Sequence, residues 1–464
     1  MRKKLLAVML SFTLAAGLVA GCGKSSSGSS SADASSSSAD NGGSSDSSGN
    51  ALTETDGSEK YTLGSGVSGA ASDIDTGSLK VDDYMFETGK GGIMRAGSLQ
   101  RFADVLSRAS AGDNRKITIA FIGGSATQGD GASDASKSYV SLVEKWWEET
   151  FPQTEFEFVN IGLSSQDSYL AVHRIGKEVL PKNPDLVYVE TSMSDGANNS
   201  GEAFECLVRK LLLSDHEPAV IPVGVTDKGN SGTGNGYDAG SKQTQIAFKY
   251  NLAFISLEKV VKMNVADSTW KWTDVGVSDT NSNLNDSGHA FLAKLICEYS
   301  KRVMDGMSAS SYKLYEVPEP DAGNKLRYME GNFYTITDFG NKVETTDYFM
   351  VEFPDCNLAG YSAGWGTEKG NEGVFTVTGS NIGIVWYRSI DGNGALFDVS
   401  VDGTPIQYEF SSNGISADTT KTDSYTGIEI RELGKLSEGR HTIKFSKNSK
   451  SEGNAIYILG FTVS

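Results

Sequence analysis

The stretch FIGGSATQGDGA (Phe121–Ala132) reads as the end of a buried strand that runs into a glycine-rich loop with one serine, Ser125, near its apex. Either Ser125 is a nucleophile held up by the turn, or the turn needs only a small residue there. The preceding run KITIAFIG is apolar, short and closed by glycine, which predicts a strand covered on both faces. Upstream, in GSLQRFADVLSRASAGD, Leu99, Phe102, Val105 and Leu106 fall at helical spacing before Gly112.

Downstream, strands and helices alternate. SYVSLVEKWWEETF predicts a helix, EFEFVNIG a strand, SYLAVHRIGKEVL a helix and PDLVYVETS a strand. The series continues with a helix around FECLVRKLLL, the strand PAVIPVGV, a helix around QTQIAFKY, the strand LAFISL and a last helix, SGHAFLAKLICEYSKRVM. Such alternation implies an α/β domain, a parallel sheet with helices on both faces. Chemistry in these folds gathers where strands end and helices begin. Here those points are the loops after Ile122, Ile161, Val189 and Val225.

The pattern changes after Met307. LYEVPEPDAG, with Pro318 and Pro320, reads as a linker, and the chain beyond it has period two. Ile382, Ile384 and Trp386 are expected to share one face of a strand, as are Phe397, Val399 and Val401, and Tyr457, Leu459 and Phe461. With turn pairs at Asp391-Gly392 and Asp402-Gly403, this predicts an all-β sandwich.

At 464 residues the chain is long enough for two or three such units. Its net charge of −18 argues against nucleic acid as a partner, because phosphate contacts need clustered Lys and Arg. The four cysteines, Cys22, Cys206, Cys297 and Cys356, are scattered without metal-ligand spacing, and the carboxylates are dispersed too, so no metal or cofactor is expected. Cys206 and Cys297 sit in apolar helical patterns and are expected to be buried thiols.

Residues 1–22 begin with Arg2, Lys3 and Lys4 before an apolar run too short to span a membrane, the pattern of a secretory signal. The run ends in Val19-Ala20-Gly21-Cys22, which resembles a bacterial lipobox. The resemblance implies cleavage before Cys22 and a lipid on its sulfur, placing the protein at the outer face of the cytoplasmic membrane. Residues 23–60 are Ser- and Gly-rich and cannot bury enough apolar surface to fold, so they read as a tether. The remaining expected boundaries are an irregular lead-in over 61–96, the α/β domain over 97–307, a linker over 308–330 and the sandwich over 331–464.

The loop Gly123-Gly124-Ser125-Ala126-Thr127-Gln128-Gly129 resembles the first block of the SGNH/GDSL hydrolases, in the GGSxTxG form of carbohydrate-esterase-like members. FVNIGLSSQDSYLAVHR, PDLVYVETSMSDG and NLNDSGHAFLAKLI follow in family order, and the likeness covers about Gly97 to Met304. It implies a three-layer α/β/α fold and acyl-ester hydrolysis. In that family a serine attacks the ester carbonyl, a histidine takes its proton, and an aspartate three residues earlier orients the imidazole. Ser125 matches the nucleophile and Gly162 the oxyanion glycine.

Departures follow. Ser194 stands where the family has its oxyanion asparagine, Asn283 where it has the histidine, Leu284 on its proline and Thr280 on its aspartate. Asp279 and His289 are the nearest alternates, although His289 matches a second family histidine that more often caps or packs. The other imidazoles, His173, His216 and His441, lie on a helix, in the loop SDHEP and in the sandwich. Losing a triad's base has cost about 10⁶-fold in kcat in a serine protease, so the aligned set should be nearly inert.

The sandwich resembles modules that accompany such esterases and touch carbohydrate. Tyr361 and Trp365, in GYSAGWGTEKG, could stack on a sugar ring, or Trp365 could close one end of the core. Two readings result: an O-acetyl esterase acting on polysaccharide, or a protein that kept the esterase fold and binds cell-wall or dietary glycan without hydrolysis.

Overall fold

The computed structural model describes residues 73–112, 116–195, 200–228, 239–306, 316–338, 340, 342–346, 348–354, 356–367, 372–414 and 426–464. Cys22, the secretory segment and the Ser/Gly tether lie outside the described residues.

Within the expected lead-in, Met85 and Ile93 are fully buried, and a short strand, β1 (Ile93–Arg95), forms. The sheet continues with β2 (Ile117–Gly123), β3 (Phe156–Asn160), β4 (Leu186–Glu190), β5 (Ala219–Gly224) and β6 (Phe254–Ser256). The spatial order is β1-β6-β5-β4-β2-β3. All neighbours pair parallel except β1, which closes the β6 edge antiparallel.

Alternation along each strand sorts side chains to two faces. Ile117, Ile119 and Phe121 pack with Tyr188 under α1 (Gln100–Ala111), α3 (Tyr139–Thr150) and α9 (Asp286–Met304). Ala120 and Ile122 pack with Val187 and Val189 under α4 (Ser168–Glu178), α5 (Ser200–Leu212) and α6 (Ala239–Lys249). These are the three layers that the continuous apolar strands require. Cys206 and Cys297 are buried as free thiols on opposite faces.

Three pieces were not legible as period or motif. One is α7 (Leu257–Ala266), directly after β6, where Leu257, Val260 and Val261 are buried. The others are a turn of helix, α8 (Trp272–Val275), and a hairpin of β7 (Gly276–Ser278) and β8 (Asn281–Leu284) just before α9.

The C-terminal third is a sandwich of two antiparallel sheets. One holds β10 (Val343–Thr345), β13 (Gly373–Thr378), β15 (Leu396–Val401) and β19 (Arg440–Lys447), with β16 (Thr404–Pro405) and β17 (Phe410–Ser411) on β15. The other holds β11 (Phe349–Glu352), β12 (Ala363–Thr367), β20 (Ile456–Val463), β14 (Asn381–Arg388) and β18 (Gly427–Lys435), with β9 (Asn332–Thr335) on β20.

As expected, Ile382, Ile384, Trp386, Phe397, Val399 and Val401 face the core between the sheets. The third expectation needs correction. Phe461 faces that core, but Tyr457 and Leu459 point the opposite way. Opposite Val385 and Trp386 the β20 register jumps from Gly460 to Ile458. The extra residue of that bulge moves the alternation to the other face.

The outward face of β14 and β20 is buried as well, because it docks on the α/β domain. Val385, Tyr387, Tyr457 and Leu459 pack against Leu163 and Leu170. Polar contacts fix the seam: Tyr169 Oη and Thr462 Oγ1 are 2.7 Å apart, Lys177 donates to the Phe333 carbonyl at 2.7 Å, and Arg327 bridges Glu202 and Glu432 at 3.1 and 3.2 Å.

Candidate active site

In the strand order β6-β5-β4-β2-β3, successive connections leave β2 to opposite sides. This is the topological switch point, where a crevice opens at the carboxyl ends of strands. The loops carrying Ser125, Gly162 and Ser194 follow β2, β3 and β4 and meet there.

Ser125 opens a single helical turn, α2 (Ser125–Gln128). Gly129 N and Asp130 N both donate to the Ser125 carbonyl, at 3.0 and 2.9 Å, so the chain folds back immediately after the turn. The side chain is 9% exposed, and its hydroxyl forms no hydrogen bond among the described residues. As the first helical residue, Ser125 also carries an N–H with no partner inside the helix.

Gly162 lies directly behind this turn. A Cβ on it would sit 2.4 Å from Gln128 N and 2.5 Å from the Thr127 carbonyl carbon, which only a glycine avoids. Its N–H donates to Asn160 Oδ1 at 2.8 Å, and Asn160 Nδ2 donates to the Thr127 carbonyl at 3.0 Å. The amide expected to face an oxyanion is thus already engaged. Ser194 reaches the site: its Oγ is 3.1 Å from the point where a side chain on Gly124 would begin.

The hairpin before α9 brings Asn283 beside the same turn. Gly131, at φ +91°, lies so close that a Cβ there would be 2.9 Å from Asn283 Cβ. The other aligned positions do not converge. Thr280 is exposed at the hairpin turn, 3.3 Å from Ser278 Oγ. The Asp279 carboxylate is 74% exposed and pairs with Lys228 Nζ at 3.0 Å, so it orients no imidazole.

His289 is not a base for Ser125. It is fully buried, Nδ1 accepts from Tyr139 N at 3.2 Å, and Nε2–H donates to the Asp130 carbonyl at 3.2 Å. Burial lowers its pKa, and both nitrogens are spent tying α9 to α3 and to the loop after α2. His173, fully buried, donates from Nδ1 to the Tyr169 carbonyl at 2.6 Å, and burial pushes its pKa down to about 3. His216 pairs with Asp185 at 3.0 Å, just before β4 and hence at the other end of the sheet. His441 pairs with Asp402 at 2.7 Å in the sandwich. All four imidazoles are committed elsewhere.

Sequence reading missed the polar frame around the turn. Glu190, at the end of β4, is fully buried; its Oε2 accepts from Thr127 Oγ1 at 3.0 Å and from Gly124 N at 3.3 Å. Thr127 Oγ1 is also 2.8 Å from Tyr139 Oη, and Glu190 Oε1 has no hydrogen-bond partner among the described residues. Burial lifts the Glu190 carboxyl to about 8. Asp195, lifted by burial to about 6, accepts from Ser168 N at 2.7 Å and from Gln243 Nε2 at 2.6 Å, anchoring the Ser194 loop to α4 and α6. The available signal was an acidic residue closing an otherwise apolar strand, LVYVE.

The sign of the resulting pH dependence is fixed. A carboxyl that titrates near 4.3 unfolded and about 8 folded keeps its proton in the folded state, so stability falls as pH rises across that interval. Glu190→Gln is expected to remove this share of the loss, at up to about 1.4 kcal/mol per pH unit. Denaturant titrations of both proteins at pH 5 and pH 8 check it; equal pH slopes would contradict the buried acid.

The proposed sugar platform in the sandwich is not there. Trp365 is 2% exposed and packs edge-on to Phe375 at 5.4 Å, inside the core. Tyr361 is turned inward against Arg174, with ring and guanidinium 5.2 Å apart, and its hydroxyl donates to Glu178 Oε1 at 2.7 Å. Both rings are structural: Trp365 lies on the inward face of β12, and Tyr361, in the loop before it, finds more apolar area at the seam than in water. Arg174, 2% exposed, also donates to the Ile161 carbonyl at 2.9 Å and to Gln166 Oε1. Gln166 Nε2 in turn donates to the Gly123 carbonyl at 2.8 Å, which links the seam to the base of the Ser125 turn.

No protein-family model and no curated protein matches the chain. Among solved structures, it is similar to a two-domain esterase (CEX) active on acetylated mannans, at 24% identity and a TM-score of 0.67, over 80% of this chain and 97% of that one. A structure of the two-domain esterase co-crystallised with mannopentaose gives 24% identity and a TM-score of 0.68, over 83% of this chain and 98% of that one. The two-domain superposition shows that the chain has the fold of this esterase, an α/β/α domain followed by a β-sandwich, with Ser125 at the switch point of the sheet.

Proposed function

We propose that the chain is an esterase-like protein that recognises acylated glycans in the Ser125 cleft, and that its own hydrolytic rate there is very low. The observation that carries this is the commitment of all four imidazoles away from Ser125. Without a base the serine is a weak nucleophile at neutral pH. What remains, binding and backbone donors, has supplied only about 10³- to 10⁴-fold over water in a serine protease stripped of its triad. The fold shared with an esterase active on acetylated mannans supports polysaccharide as the ligand class. By its Cys22 lipobox, the protein is anchored to the outer face of the bacterial cytoplasmic membrane, with residues 23–60 as the tether that lets the two folded domains sweep nearby wall or dietary polymer.

A hydrolase reading is favoured by one feature. Ser125 keeps the apex of a strand-to-helix turn, with an unengaged hydroxyl and Ser194 Oγ beside Gly124 as a donor. A paired experiment on soluble protein starting near Tyr61 separates the two: retention on acetylated mannan and acetylated xylan, and acetate release from the same polymers beside Ser125→Ala. Retention with release no more than tenfold above the variant is expected. Fast release abolished by Ser125→Ala would establish a working nucleophile, and neither retention nor release would end the glycan reading.

A further inference from the structure

We propose that Asp130, Gln128 and Ser164 form a subsite for the hydroxyl groups of an uncharged sugar, beside Ser125 and bounded on the sandwich side by Asn357. This rests on the glycan reading above and names the chemistry that would fix the polymer next to the serine.

Four observations meet at this place. Asp130 N donates to the Ser125 carbonyl at 2.9 Å, so its residue is bonded directly to the turn that presents the serine. Its carboxylate accepts from Gln128 Nε2 at 2.8 Å and from the Ser164 side chain. Gln128 is held from both sides, since Ser164 N donates to its Oε1 at 2.8 Å and its Nε2 donates to the Asn357 carbonyl at 3.1 Å. Among the described residues no Lys, Arg or His forms an ion pair with Asp130, although the group is half-buried and burial raises its pKa.

A half-buried carboxylate without a cation is costly unless its lone pairs are satisfied. Carboxylate oxygens offer about four acceptor sites, of which two are used here. The unused pair suits two neighbouring sugar hydroxyls, which are donors without charge. An anionic sugar would instead meet like charge in a site of reduced dielectric, so the same carboxylate selects against uronic acids. Asn357 belongs to the loop between β11 and β12, so the sandwich sets the outer limit of the subsite.

The test is calorimetric titration of the intact two-domain protein with mannopentaose and with pentagalacturonate. Wild type is expected to bind mannopentaose and to prefer it over the acidic oligomer. Asp130→Asn, which keeps shape and loses charge, is expected to weaken mannopentaose at least tenfold and to narrow the preference. Ser164→Ala, which removes one hydroxyl and no backbone contact, is expected to weaken it about threefold and guards against a folding defect in the first variant. Unchanged affinity in both variants, with wild type binding, would overturn the subsite while leaving the glycan reading intact. No wild-type binding of mannopentaose would overturn the subsite, and no retention on acetylated mannan or acetylated xylan either would overturn the glycan reading with it.

Discussion

Hydrolysis of p-nitrophenyl acetate by the wild-type protein is expected to lie within tenfold of Ser125→Ala, and the double substitution Thr280→Asp with Asn283→His to raise it about 10³-fold or more. The aligned position of the missing base is not remote: Asn283 Cβ lies 2.9 Å from the point where a side chain on Gly131 would begin, in the loop that follows the serine turn. Thr280 stands three residues earlier, exposed at the turn of the same hairpin, so Thr280→Asp restores the esterase pattern in sequence and serves the new imidazole only if the turn folds toward it. A base lost from such a triad has cost about 10⁶-fold, so recovering even half of that on a logarithmic scale is a thousandfold gain. Acetate release measured with and without Ser125→Ala in the double-substituted background decides it. A gain that survives removal of Ser125 would mean that the new histidine acts alone, and no gain at all would mean that the hairpin holds Asn283 out of reach.

Arg174→Ala is expected to cost about 2 to 4 kcal/mol of stability, the larger of the structural effects foreseen here. The guanidinium is 2% exposed and donates to Glu178, Tyr361, the Ile161 carbonyl and Gln166 Oε1. Truncation strands these acceptors, and unsatisfied buried groups carry the full desolvation penalty. Glu178 is 30% exposed, so solvent recovers part of its loss, which is why the range stops short of a fully buried pair. The damage should travel two ways. Tyr361 loses the cation under its ring at the sandwich seam, and Gln166, which holds the Gly123 carbonyl at 2.8 Å, loses the donor that fixes its amide. Denaturant unfolding of Arg174→Ala beside Tyr361→Phe measures this; the phenol-to-phenyl change should cost about 1 kcal/mol, because it removes one hydrogen-bonding hydroxyl. A loss under about 1 kcal/mol for Arg174→Ala would show that water fills the gap.

Much of this architecture is legible residue by residue. The strands ITIAFIG, LVYVE and AVIPVG are buried at every position and, Thr118 and Glu190 apart, apolar, because both faces are covered, and a chain cannot hide that pattern. Gly162 announces close backbone approach, and it sits where the turn behind Ser125 has no room for a side chain. By contrast Leu257–Ala266 escaped notice because it follows β6 without a connecting turn residue, so strand and helix run together in one apolar segment.

Residue pattern alone yields the two-domain order, the alternation that makes the sheet parallel, and the place of Ser125 at a strand end. It also puts Asn283 and Thr280 where the esterase resemblance has a base and its partner. That no other imidazole takes over follows from packing, since whether His289 faces a serine or the backbone of Tyr139 and Asp130 depends on how α9 lies against α3. Packing likewise decides the fate of Tyr361 and Trp365, and the burial of Glu190 and Arg174. The physical reason is the same in each case. Period and spacing report which face of its own element a residue occupies, whereas the partner of a polar group is set by a second element distant in the chain, and local sequence carries no record of that pairing.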